Sequence, residues 1–138
     1  MTYAVQQDLI DRFGETEIKE VADRNGDGAI DAAVMASALA DADQVIDGYV
    51  GARYDLPLDP VPNLVKTLAC HLARYFLHKD APPETVRKNF EDALRQLRDI
   101  AAGTLVLDAA GSEPTRAGGT VEISAPDRVF TNDTLRDL

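Results

Sequence analysis

The 138 residues predict an all-α fold: a small helical bundle with an antiparallel helix hairpin, followed by an extended C-terminal arm with short β-like segments. Three observations carry that expectation. Apolar side chains return every three or four residues from the N-terminus to about residue 103. Prolines and glycines cut this pattern into helix-sized lengths. After Gly103 the helical stripe stops, and Gly, Ser, Pro and Thr become frequent. The expected division is a helical domain over 1–103 and an arm over 104–138.

The stretch YAVQQDLIDRFG places Val5, Leu9, Ile10 and Phe13 on one helical face and ends at Gly14, a residue suited to a C-cap. A short acidic segment, ETEIKEVAD, provides one or two turns. A long Ala-rich helix is expected from about Asp31 to Tyr54, with Met35, Leu39, Ala42, Ile46 and Tyr49 at helical spacing. The three prolines of RYDLPLDPVP force an extended run, because none can supply a helical amide. Pro62 suits a first helical position for PNLVKTLACHLARYFLHKD, whose stripe is Val65, Leu68, Leu72, Tyr75 and Phe76. Pro82 and Pro83 then break the chain. PETVRKNFEDALRQLRDIAAG follows, with Val86, Phe90, Leu94, Leu97 and Ala101 in line and Gly103 at its end. Two helices joined by a short Pro turn make an antiparallel hairpin.

The arm contains two β-like runs, TLVL and TVEIS, and few core-forming residues. Val129, Phe130 and Leu135 near its end are apolar anchors with little chain around them to bury them. They fit folding onto a neighbouring molecule, and packing back on the parent domain is the alternative.

Between the second and third helices stands DRNGDGAIDAAV, which matches a calcium-binding EF-hand loop until its last position. Asp23, Asn25, Asp27 and Asp31 fill side-chain ligand places, Gly28 the sharp turn and Ala29 the carbonyl. The bidentate acid that should close the site is replaced by Val34, so any site built on those four residues is weak or empty. The same letters also describe a tight turn, Asn25-Gly26 and Asp27-Gly28, leading into a helix capped by Asp31. Turn and cap is the favoured account, and no metal or cofactor is expected.

Charge is uneven. Residues 1–60 carry 13 acids and 4 bases, 61–100 carry 5 and 7, and 101–138 carry 6 and 3, giving −9, +2 and −3 of the total −10. Such a chain is a poor general nucleic-acid binder, since that affinity comes mainly from neutralised phosphates. An acidic part of one molecule facing a more basic part of another would use the split, and an unpartnered solvated surface would show the same pattern. The single Cys70 excludes an intramolecular disulfide framework. No signal-peptide pattern and no bilayer-length apolar run occur, so a soluble protein made in the cytoplasm is expected.

Catalysis has little support. His71 and His78 stand two turns apart without a carboxylate pair at metal spacing, and neighbours Cys70 and His71 point about 100° apart on a helix. No GxSxG, Walker loop or HExxH occurs, and Gly118-Gly119 lacks a flanking strand and helix. The chain is expected not to be an enzyme.

The order of parts, however, is distinctive: DLIDRFGE, the turn DRNGDGAID, ALADADQVIDGYVGARYDLPL, the proline break, NLVKTLACHLARYFL, and a closing helix followed by GTLVL. This combination resembles the head-to-tail adaptor (connector) family of Mu-like phages over about the first hundred residues, and the arm only loosely. The most telling block runs from Ala40 to Leu58, with Asp43, Ile46, Tyr49, Arg53, Tyr54, Leu56 and Pro57 in place. The resemblance implies a virion protein of the neck that docks beneath the portal protein as a homo-oligomeric, dodecameric ring. It would widen the DNA channel without sequence-specific DNA binding and receive the next connector or tail-completion protein. It also implies structural roles for Arg53 and Tyr54 at the end of the long helix, the Arg near free carbonyls and the Tyr with a buried ring and a wet hydroxyl. Partner contacts are expected from Arg87, Lys88, Arg95 and Arg98 and from the anchors Val129, Phe130 and Leu135. The alternatives are a DNA-packaging or assembly factor using that basic face, and a calcium-binding interaction module using the 23–34 loop.

Overall fold

The computed structural model describes residues 2–78 and 80–107. Five helices follow in order: α1 (Gln6–Phe13), α2 (Glu15–Ala22), α3 (Ala32–Val50), α4 (Asn63–Leu77) and α5 (Glu84–Ala102). Helix α4 touches all four others and shares its largest interface with α3. Its sequence explains that position, because Val65, Leu68, Ala69, Cys70, Leu72, Ala73 and Leu77 are all buried and cover most of the cylinder. Ala69, Cys70 and Ala73 are small buried side chains on α4, and the buried line of α3 includes Ala38 and Ala42. Each large aliphatic side chain sealed here contributes roughly 1.5–3 kcal/mol relative to exposure.

Local chemistry sets the element ends. Gly14, at φ 97°, closes α1 with its amide on the Ile10 carbonyl at 2.9 Å and lets α2 start at once. Asp31 caps α3 by accepting from the Ala33 amide at 3.0 Å. Gly103 ends α5 in the left-handed region, φ 88°, where a Cβ would also strike the Arg53 guanidinium at 2.7 Å.

One side chain of α4 holds the two short helices. Arg74 donates to both oxygens of Glu17, at 2.6 and 2.9 Å, and lies 4.2 Å over the Phe13 ring. Just beyond, Arg24 donates to the Leu77 carbonyl at 3.0 Å, and the His78 Nδ1–H donates to the Arg74 carbonyl at 2.9 Å. The open carbonyl end of α4 is thus met by two side chains.

Several expectations change in detail. Helix α3 stops at Val50, and residues 51–54 form a turn. Pro62 is the N-cap of α4, one place earlier than expected. Val5 is 52 % exposed as the N-cap residue of α1, and Tyr3 and Ala4 are buried in its stead. The Arg53 guanidinium stands beside Gly103, at the carbonyl end of α5. TLVL is not a strand, and no strand occurs among the described residues; Leu105 and Leu107 pack on the core, so the chain stays on the helical body through Leu107. TVEIS lies outside the described residues.

Tyr54 is the clearest correction. Its ring is buried, but its hydroxyl is not wet: it accepts from the Leu107 amide at 2.9 Å. A bond across 53 positions pins the chain after α5 to the end of the long helix region.

The residues ahead of α1 are seated on α3. The Tyr3 amide donates to Asp43 at 3.1 Å and its hydroxyl makes a very short bond to Asp47, one turn further on. Burial raises the Tyr3 pKa, and the Asp47 bond and charge add to it. Asp43, 9 % exposed, is the buried acid of the core, and burial raises its pKa against the lowering effect of the Tyr3 amide.

Two outcomes follow from these contacts. Tyr54→Phe keeps the ring but leaves the Leu107 amide buried and unpaired, which should cost about 1–3 kcal/mol in urea unfolding and speed exchange of that amide. Unchanged stability would mean that the Leu107 segment is not held there. For Asp43, the folded pKa lies above the unfolded one, so its contribution is full below the unfolded value and is lost as pH rises through the folded one. Asp43→Asn retains an acceptor for Tyr3 and removes the charge. Its Tm should exceed that of the parent at pH 7 and the gap should shrink on acidification; a gap constant with pH would sink this account.

Candidate interaction surface

The calcium-like loop folds around its first residue. Asp23 Oδ1 accepts from the amides of Gly26 at 2.8 Å and Asp27 at 3.0 Å, and Oδ2 accepts from Gly28 at 2.7 Å. Asn25 accepts from the Asp27 amide at 3.2 Å, and Asp27 from Ala29 at 2.9 Å. The Asp31 amide closes the loop on the Ala22 carbonyl at 3.0 Å. The Gly28 amide, with those of Asp27 and Gly26, holds the Asp23 carboxyl below the usual range despite its exposure. Turn and cap therefore occupy every acidic side chain of the loop. Val34, at the closing position, packs half-buried against the core. Among the described residues no group of three or more His, Cys, Asp or Glu side chains could hold a metal ion.

The basic face of α5 is interleaved with acids. Arg87 pairs with Glu84 at 3.0 Å and Glu91 at 2.8 Å, and Lys88 approaches the same Glu84 at 3.8 Å. Arg95 is bound to Asp92, while exposed Arg98 makes no ion pair among the described residues. Spacings of three and four residues produce these pairs from sequence alone. The helix offers a locally neutralised surface, with Arg98 as its unpaired cation. The apolar anchors Val129, Phe130 and Leu135 lie outside the described residues.

Cys70 and His71 are not a catalytic couple. The thiol is fully buried, and burial pushes its pKa up. His71 packs its ring 5.7 Å from Phe13, with Nδ1 buried and without a hydrogen-bond partner. Burial, then the charges of Arg74 and Arg12, lower its pKa and keep it neutral at pH 7. His78 serves the end of α4, with Nε2 4.0 Å from Glu17.

A surface that the sequence reading did not separate from the core lies along the α3–α5 edge. Val45 and Tyr49 of α3, Phe76 of α4, and Phe90 and Leu94 of α5 line an open apolar groove, with Gly48 and Gln44 at its α3 side. All five apolar side chains are only half-buried. Phe90 stacks on Tyr75 at 3.9 Å and meets Phe76 edge-on at 5.8 Å, so the aromatic wall is fixed by its own contacts. Tyr49, Phe76, Phe90 and Leu94 stand in the expected core stripes but on their margins. The deeper lines are Met35, Ala38, Ala42, Ile46 and Val50 in α3, and Val86, Ala93, Leu97 and Ile100 in α5. The available signal was stripe width: two adjacent apolar lines on one helix exceed what a single neighbour covers.

No helix of the described residues is long and apolar enough to cross a membrane. The chain is similar to two phage-related proteins. It is 35 % identical over 113 residues to the Mu-like prophage FluMu protein gp36 of Haemophilus influenzae, covering 82 % of this chain and 80 % of that one. To gene product J of Escherichia phage Mu it is 38 % identical over 104 residues, covering 75 % and 74 %. The family model described as "Bacteriophage Mu, Gp36" matches residues 3–125, a span that includes all five helices. This chain therefore belongs to the Bacteriophage Mu Gp36 family.

Proposed function

We propose that the protein is a non-enzymatic structural component of the virion, a head-to-tail adaptor that forms a ring below the portal protein. The ring, twelve copies matched to the portal, extends the DNA channel and docks the next connector or tail-completion protein. The chain meets its partners in the host cytoplasm during assembly and remains at the neck between capsid and tail.

The observation that carries this reading is the apolar α3–α5 groove on a body whose core is already sealed around α4. Aromatic and aliphatic side chains held in place but left half-covered suit a protein neighbour better than water. Charge supports the DNA side of the proposal: the net charge is −10, and the bases Arg87, Lys88 and Arg95 are matched by acids on their own helix. A duplex passing such a ring is repelled rather than gripped.

Cryo-electron microscopy of particles, or of this protein mixed with its portal, tests the proposal. Density for a ring of copies at the portal's narrow end is the expected result, and absence of the chain from the neck would reject it. A second outcome concerns the arm. Deleting residues 120–138 should leave the helical circular dichroism intact while heads fail to join tails. Loss of helicity at room temperature would instead place that segment in the core.

A further inference from the structure

Gly48 is out of place by the rules of the helix that contains it. It is the third residue from the end of α3, in the last turn, where Gly still stabilises the helix less than Ala. Its φ is not positive, and a Cβ built on it would meet no atom within 4 Å. Neither backbone conformation nor a close neighbour among the described residues accounts for the missing side chain. What the glycine does is open the groove: between Val45 and Tyr49 the backbone of α3 is bare, opposite Phe90 and Leu94. A side chain arriving from outside could lie flat on the helix there.

The chain itself contains a suitable occupant. Beyond Leu107 it continues for 31 residues, mostly polar and small, and ends in a segment bearing Val129, Phe130 and Leu135. At about 3.3 Å per extended residue, the 23 steps from Leu107 to Phe130 could span roughly 75 Å. A domain of this size is about 30 Å across, so an extended arm of that length would be long enough to reach a neighbouring copy. One groove and one apolar segment per chain, on different parts of the molecule, form a heterologous pair. Repeated around an axis, such a pair closes a ring.

We infer that the groove over Gly48 is the seat for the Val129–Leu135 segment of a second copy of this chain, with the Phe130 ring against Gly48. The inference rests on the ring reading proposed above and adds to it which surface joins neighbouring copies.

Disulfide trapping tests it. Gly48→Cys and Phe130→Cys are made as separate full-length variants, one enlarged by a tag, and mixed with and without portal protein under mild oxidation. Cys70 is fully buried, and the parent chain treated alike controls for it. The expected product is a disulfide joining one chain of each variant, and a ladder of joined chains when both cysteines are on one chain. No joined product in either mixture overturns the inference, as does a double variant that closes only within its own chain. Gly48→Leu gives an independent measure because its Cβ meets no described atom within 4 Å while the longer side chain occupies the groove. Its helicity and Tm should be at least those of the parent while self-association weakens tenfold or more, and parental self-association would overturn the proposal. A ring seen at the neck with Phe130 away from Gly48 rejects this inference alone, whereas absence of the chain from the neck rejects the adaptor reading.

Discussion

The structure depends on covering α4. A helix that buries Val65, Leu68, Cys70, Leu72, Ala73 and Leu77 cannot stand at a surface, and four other helices are arranged to hide it. The arrangement explains where size and charge can go. Small buried residues occur on both α3 and α4, and the bulky aromatic side chains Tyr75, Phe76 and Phe90 collect between α4 and α5. At the final turn of α4, Arg74 finds Glu17 and the Phe13 face. A bidentate pair with a stacked ring has more geometric demand than a surface ion pair, so α1 and α2 are oriented by this one guanidinium as well as by Leu9 and Ile18 in the core.

Much of this was legible in the sequence because it is local. The order of the five helices, the stops at Gly14 and Gly103, the cap at Asp31 and the breaks at Pro62 and Pro83 each follow from backbone rules acting within a few residues. The packing of α4 against α5 follows from a short proline turn between two apolar stripes. What could not be read is which edge of a wide stripe is covered. Tyr49 and Phe90 resemble core residues as firmly as Ile46 and Leu97 do; only the positions of neighbouring helices decide that the first pair lies at the rim. Tyr54 and Leu107 failed for a related reason. Their hydrogen bond joins positions far apart in the chain, and no periodicity signals it. Asp43 likewise reads as an ordinary helical acid until Tyr3 is laid against it.

The loop at Asp23 shows acidic side chains organising the turn that carries them. An aspartate that gathers three consecutive turn amides is satisfied by the chain alone, and the glycines that make calcium loops sharp make this one sharp too. The fragment's similarity to a calcium loop therefore resides in backbone geometry. The missing acid at Val34 marks the difference, since that position is given to the packing of α3 instead.

Charge and burial together constrain how copies of this protein can meet. The bases of residues 61–100 gave the chain a less acidic middle, yet on α5 most of them are already matched at three- and four-residue spacing, and on α4 Arg74 is matched by Glu17. Little free positive charge remains to attract the acidic half of a neighbour, and long-range repulsion between chains of net charge −10 opposes association. The attachment between copies proposed above would then come from short-range apolar contact, strong enough at one place to offset that repulsion. On the described surface the α3–α5 groove, with its fixed aromatic wall and bare glycine, is the place that offers such contact.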